Sequence, residues 1–343
     1  MINPIFSEEK LNTLFQELEK AKNILILGHK SPDGDAVGST LALHHYLEQK
    51  NIKSTVIMPD GFPSFLNGMK GVEDIKYFDK NKKEISELMH NSDVIFTLDF
   101  NDQSRVGNEF GKVLANAKAL KIMIDHHQQP ADYATFTFSD TKSCSTAQLV
   151  YEFIEANKDL SLIDKEIAEC IYTGILTDTG SFRFPSTTQK THEIASFLLN
   201  TGIKHSEIHE RIYDINTPER LKLMGYMLDK KLEILPEIKT AIVSLTKEEL
   251  LTHKTKKGYT EGFVNIALSI LGIEIGIFVK EDENMVKISF RSKGDVPVNE
   301  FSKKYFEGGG HINAAGGRSN ISVEKTVSKI KELLPGFLNS VKN

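Results

Sequence analysis

The stretch "KIMIDHHQQP" (residues 121–130) decides how this sequence is read. Ile122 to Ile124 is an apolar run of strand length. It stops at Asp125, His126 and His127, and Pro130 closes off continuation. Ionisable groups at the edge of a core are costly unless something pairs with them, so other strand ends matter. "NILILGHKSPDGD" (23–35) is an apolar run followed by His29, Asp33 and Asp35. "DVIFTLDF" (93–100) ends in Asp99, and "STVIMP" (54–59) is a further run of the same kind. Helical spacing separates several of them, as in "DAVGSTLALHHYLEQKN" (35–51) and "KKEISELMH" (82–90). Continuous apolar strands alternating with helices predict an α/β fold, with a mainly parallel sheet covered on both faces.

Further along, the pattern from Ser143 to about Leu199 is mostly helical. Asp164 stands as an N-cap before Ile167, Ile171 and Ile175, and "GILTDTG" supplies Asp178 at a helix end. Near the N-terminus, Ser7 caps Leu11, Leu14, Phe15 and Leu18 in the same way. A charged, helix-favouring stretch with Pro218 in its first turn then leads to strand-like "TAIVSL", "EIGIFVK" and "MVKISFRS". Helix-like "VNIALSILG", "VNEFSKKYF" and "VEKTVSKIKELL" alternate with them. We therefore expect a first domain over residues 1–190, a helical connection over 191–238, and a smaller α/β domain over 239–343.

Bulk composition narrows the function. At 343 residues with a net charge of −5, the chain suits two domains and argues against non-specific binding to long nucleic acid. Only two cysteines occur, Cys144 and Cys170, which suggests a reducing compartment. There is no signal-like N-terminus and no apolar run near the ~20 residues of a membrane span, so we expect a cytoplasmic protein without a membrane partner.

Side chains at the carboxyl ends of parallel strands meet in one crevice. Asp and His without Cys, converging there, suit a two-metal site. Such a set favours Mn²⁺, with Fe²⁺, Co²⁺ or Zn²⁺ as alternatives. Any one of "SPDGD" or "LDFND" could be plain turn chemistry, but the whole set at strand and helix ends could hardly be.

In order and spacing, "GHKSPDGDAVGS", "LDFNDQSRVG", "IDHH" and "TDTGSF" resemble the four motifs of the DHH phosphoesterases. "VKISFRSKGDVPVNEFSKKYFEGGGHINAAGG" resembles their C-terminal DHHA1 domain. The nearest subgroup is the nanoRNase and pAp-phosphatase type of oligoribonuclease. The resemblance implies that His29, Asp33 and Asp99 hold one metal, and that Asp35, Asp99, His126 and Asp178 hold the other. His127 is then a phosphate-facing charge stabiliser or leaving-group acid, and Asp125 orients an imidazole from behind.

Arg105, in "DQSRVG", is either a surface ion pair or a substrate contact, and the resemblance favours the contact. In the second domain, Gly308, Gly309 and Gly310 could let a phosphate approach the backbone, beside His311 and Arg291. Expected substrates are short RNA, pAp (3′-phosphoadenosine 5′-phosphate) and linear or cyclic dinucleotides, gripped across a cleft between the domains. A homodimer is in keeping with the family. The rival readings are an exopolyphosphatase or pyrophosphatase and a non-catalytic nucleotide sensor. His44 and His45 read as surface or interface residues.

Overall fold

The computed structural model describes residues 3–256, 258–283 and 285–342. They form two compact units, Met1–Ile215 and Asn216–Asn343.

Unit 1 holds six strands: β1 (Ile24–Leu27), β2 (Ser54–Met58), β3 (Lys76–Tyr77), β4 (Val94–Leu98), β5 (Leu120–Asp125) and β6 (Phe136–Ser139). All neighbours are parallel, in the order β3-β2-β1-β4-β5-β6. The chain order reverses between β1 and β4, which is where an open sheet of this kind leaves a crevice beyond its strand ends. Eight helices accompany it: α1 (Glu8–Lys20), α2 (Gly34–Gln49), α3 (Lys82–His90), α4 (Asn108–Asn116), α5 (Thr146–Ala156), α6 (Lys165–Asp178), α7 (Gln189–Asn200) and α8 (His205–Tyr213). β1 and β4 are buried at every residue. Ile24 and Ile26 join the core made with α1, α2, α5 and α6. Leu25 and Leu27 face the other way, into the core made with α3 and α4. This two-sided burial is why β1 and β4 read as continuous apolar runs and not as alternating ones. The parallel sheet and the capping roles of Ser7 and Asp164 are as the sequence predicts. β3 and β6 are strands that the sequence pattern did not reveal.

The crossing of α2 and α6 is set by glycine. A Cβ on Gly38 of α2 would lie 2.5 Å from the Cys170 carbonyl oxygen of α6, and one on Gly174 of α6 would lie 2.7 Å from Asp35 Oδ1 of α2. Both are far inside ordinary contact, so only glycine lets these backbones approach this closely.

Unit 2 begins inside the 191–238 stretch read as a connection. Of that stretch, α7 and α8 pack into unit 1, while α9 (Pro218–Tyr226) and β7 (Leu232–Leu235) belong to unit 2. The rest comprises β8 (Thr240–Leu245), α10 (Lys247–Thr252), α11 (Phe263–Leu268), β9 (Ile275–Glu281), β10 (Val286–Ser292), α12 (Val298–Tyr305), β11 (Gly309–His311), β12 (Ala314–Ser319) and α13 (Val323–Lys342). Its sheet runs β11-β12-β10-β9-β8-β7, with β8 and β9 parallel and the other pairs antiparallel. Among the described residues, no helix is long and apolar enough to cross a membrane.

Candidate metal centre

The six side chains read as metal ligands come together in unit 1. The loop after β1 carries His29 and then Asp33, which caps α2. Asp33 Oδ1 accepts from the Asp35 and Ala36 N–H groups at 3.0 and 3.1 Å. Its other oxygen lies 3.8 Å from His29 Nε2. The turn role and the ligand-like role are thus shared between the two oxygens of one carboxylate.

Asp99 is the pivot. It follows β4 in the left-handed conformation, φ +63°, a region costly for a side-chain residue although Asp tolerates it better than most. Oδ2 lies 3.3 Å from His29 Nε2, and Oδ1 lies 3.5 Å from His126 Nε2. Around His126 Nε2 stand Asp178 Oδ2 at 3.3 Å and Asp35 Oδ2 at 3.8 Å. His29 with Asp33 and Asp99, and Asp35 with Asp99 and His126, are each close enough to share a cation.

Each imidazole is held from behind by a backbone carbonyl, His29 Nδ1 by Lys30 at 3.0 Å and His126 Nδ1 by Ser143 at 3.3 Å. A carbonyl only accepts, so Nδ1 carries the hydrogen in both rings. A neutral ring in this tautomer would turn its Nε2 lone pair toward carboxylates. Lone pairs facing lone pairs repel, and only a proton or a metal cation between them relieves this.

The electrostatics agree. Burial would lift Asp99, but hydrogen bonds from His126 and His29 overcome it and hold its carboxyl well below the usual range. Asp35, wholly buried, is driven up by that burial and by the nearby Asp99 and Asp178 charges. Burial likewise raises Asp178, against the pull of His126. Burial disfavours the charged form of His29, yet Asp99 and Asp33 raise it to about 9. His126 rises in the same way through Asp99 and Asp178. Buried carboxylates outnumber the imidazoles, and the deficit is one of positive charge.

Asp125 holds one imidazole in place. Its Oδ1 accepts from His127 Nδ1 at 2.8 Å and its Oδ2 from the His127 N–H at 3.1 Å. The imidazole it orients is therefore His127, not one of those facing the cation positions. His127 Nδ1 also lies 3.7 Å from Asp99 Oδ1.

Sequence reading missed the first turn of α5. The Thr146 and Ala147 N–H groups donate to the two Asp35 oxygens at 2.6 and 2.8 Å, and Thr146 Oγ1 donates to Asp99 at 3.1 Å. This helix N-terminus opposes the upward drive on Asp35. The signal was legible in "SCSTAQ": Ser145 caps an apolar helix.

Arg105 sits in a 3₁₀ turn, Gln103–Val106, whose carbonyl accepts from the Lys30 N–H at 2.9 Å, beside His29. Among the described residues no carboxylate is within ion-pair distance of its guanidinium, so the surface ion pair is not formed.

In unit 2 the Gly-rich stretch leads into a hairpin of the edge strand β11 with β12 and is not a simple turn. Gly308 and Gly310 are needed by the fold itself, since a Cβ would meet the Gly316 carbonyl oxygen at 2.0 Å or the Ala314 oxygen at 2.4 Å. Gly309 faces open space. Register pairs Arg291 with Ala314, and Ala314 with His311. Directly paired residues share a face, so Arg291 and His311 flank one small residue on the same side of the sheet.

The chain belongs to the DHH family: residues 23–175 match its N-terminal domain and residues 240–337 the DHHA1 domain. It is 30% identical over 311 residues to the bifunctional oligoribonuclease and PAP phosphatase NrnA of Thermus thermophilus, covering 90% of this chain and 88% of that one. It is 29% identical over 308 residues to the protein of the same name from Bacillus subtilis, covering 88% and 91%. The crystal structure of an exopolyphosphatase-related protein from Bacteroides fragilis superimposes with a TM-score of 0.93 at 39% identity, covering 98% of each chain.

Proposed function

We propose that this protein is a cytoplasmic, manganese-dependent phosphohydrolase that cleaves short oligoribonucleotides to mononucleotides and dephosphorylates pAp. The observation that carries the reading is Asp99, one carboxylate whose two oxygens each face a different imidazole. On this reading His29, Asp33 and Asp99 hold one cation, and Asp35, Asp99, His126 and Asp178 hold the second. Divalent cations held by these residues would supply activation of a water nucleophile at neutral pH and positive charge opposite the phosphoryl oxygens. The oxygen-rich donor set with two imidazoles suits Mn²⁺.

The chain's own residues do the rest. Asp125 keeps the hydrogen on His127 Nδ1, so any proton passed to a leaving oxygen goes through Nε2. Arg105, without an ion-pair partner, is suited to a substrate phosphate. In unit 2, Arg291 is suited to a terminal phosphate, and His311 and the open Gly309 to phosphate or base. The relatives named as oligoribonucleases and PAP phosphatases support this choice of substrate.

The likeness to an exopolyphosphatase-related protein supports a second reading, hydrolysis of phosphate chains. Parallel incubation with Mn²⁺ and a 5′-labelled RNA dinucleotide, pAp, pyrophosphate and polyphosphate separates the two. We expect turnover of the first two, abolished by Asp99→Ala. Polyphosphate or pyrophosphate turnover alone would establish the second reading, and no turnover of any of the four would leave a nucleotide sensor.

A further inference from the structure

A second cluster of possible ligands lies on α2, nine to thirteen residues beyond Asp35 and therefore about 14–20 Å along the helix. His44, His45 and Glu48 bring one ligand atom each within 4.8 Å of the others. His44 Nε2 is 3.6 Å from Glu48 Oε1, and His45 Nδ1 is 3.4 Å from Glu48 Oε2. Tetrahedral zinc with bonds of 2.0–2.1 Å needs ligand atoms roughly 3.3 Å apart, and these separations are already close to that.

Each ring is held by its other nitrogen. His45 Nε2 faces the Lys70 carbonyl at 3.0 Å, and His44 Nδ1 faces the Ser54 hydroxyl at 2.8 Å. Because a carbonyl only accepts, His45 Nε2 carries the hydrogen. Nδ1 is then the ring atom available as a ligand, and it faces the Glu48 carboxylate. The Ser54 hydroxyl is able to accept from His44 Nδ1, which would leave Nε2 as the ligand atom, and a hydrogen bond behind each ring is how metal-binding imidazoles are arranged.

A surface ion pair explains this less well. One imidazolium would satisfy Glu48, but two rings crowd it, with centroids 5.3 Å apart. His45 is 7% exposed. Glu48, with a half-exposed side chain, leaves the cluster open to solvent for entry of the ion and a water.

We propose that His44, His45 and Glu48 form a separate, mononuclear site for a transition cation of the zinc class, fastening α2 to the loop that carries Lys70. Two nitrogens and one carboxylate select Zn²⁺ over the oxygen-preferring Mg²⁺ and Mn²⁺. The fastening follows from His45, which already reaches the Lys70 carbonyl. The loop's Gly71, at φ +87°, comes so close that its Cβ would lie 3.1 Å from the His45 ring. This inference does not depend on the reaction proposed above.

The test is equilibrium dialysis of the full chain against Zn²⁺, with His44→Gln and Glu48→Gln compared with the parent. The same set is repeated in an Asp99→Ala background, which weakens the other cluster. We expect one zinc equivalent to weaken by at least 10-fold in each variant and in both backgrounds. We also expect zinc to raise the melting temperature of the parent more than that of the variants. Glu48 is exposed, so its variant keeps the fold even if His44→Gln does not. Equal zinc stoichiometry and affinity in parent and Glu48→Gln would overturn the proposal, and so would an equal zinc-induced rise in melting temperature.

Discussion

Gly174→Ala tests whether the α2–α6 crossing positions the metal centre. In a helix interior alanine is favoured over glycine by about 1 kcal/mol, so propensity alone predicts a stabler protein. Against it, the new Cβ would lie 2.4 Å from the Ala147 Cβ and 2.7 Å from Asp35 Oδ1. Carbon contacts settle at ~3.5–4.0 Å, so α6, α5 or the Asp35 carboxylate must move by about 1 Å. Overpacking of this kind costs roughly 1–3 kcal/mol, leaving a net loss of about 0–2 kcal/mol after the propensity gain. The larger effect falls on function. Asp35 is pinned by two N–H groups at the α5 N-terminus, and a 1 Å displacement at a reacting centre costs about 10²-fold in rate. The assay is Mn²⁺-dependent hydrolysis of bis-p-nitrophenyl phosphate together with thermal melting. Gly225→Ala in α9 is the control, because its Cβ meets nothing within 4 Å and should be neutral or stabilising. A Gly174→Ala protein that melts above the parent with parental turnover would refute the reasoning.

Three further outcomes are expected. His126→Ala should weaken metal binding, whereas His127→Ala should keep the metals and slow turnover by about 10²–10⁴; equal metal loss in both, by elemental analysis, would contradict the separate roles. Mn²⁺ affinity should fall as pH falls. His29 is lifted to about 9 and Asp178 is also raised, so below those values a cation must displace protons, and each one displaced is worth up to about tenfold per pH unit. Calorimetric titration at pH 6.5, 7.5 and 8.5 should show the affinity rising, and a flat profile would be inconsistent with raised ligands. Arg291→Ala and His311→Ala should keep the metals and lose about one to two orders of magnitude on pAp, from roughly 1.5–3 kcal/mol per charged hydrogen bond. They should lose much less on bis-p-nitrophenyl phosphate, which has no second phosphate or base; an equal fall on both substrates would move these residues out of recognition.

The chain's own pattern determined much of this. Apolar runs four to six residues long that end in His and Asp gave the parallel sheet, because two-sided burial leaves no polar alternation in β1 or β4. The order of motifs marked out the ionisable residues that unit 1 gathers, since in such a sheet strand ends share one crevice whatever their separation in sequence. Only the tertiary structure decided how those residues pair. Nothing in "IDHH" says that Asp125 turns to His127 while backbone carbonyls hold His29 and His126. Nor does "SCSTAQ" disclose that its N–H groups close on Asp35 from 111 residues away. Likewise, the Gly-rich stretch read as a phosphate turn is a hairpin whose Gly308 and Gly310 are crowded by their own sheet. Local pattern reports burial and backbone preference, which are properties of near neighbours along the chain. Which donor meets which acceptor depends on helix crossings and strand register, and these are fixed only when distant segments pack.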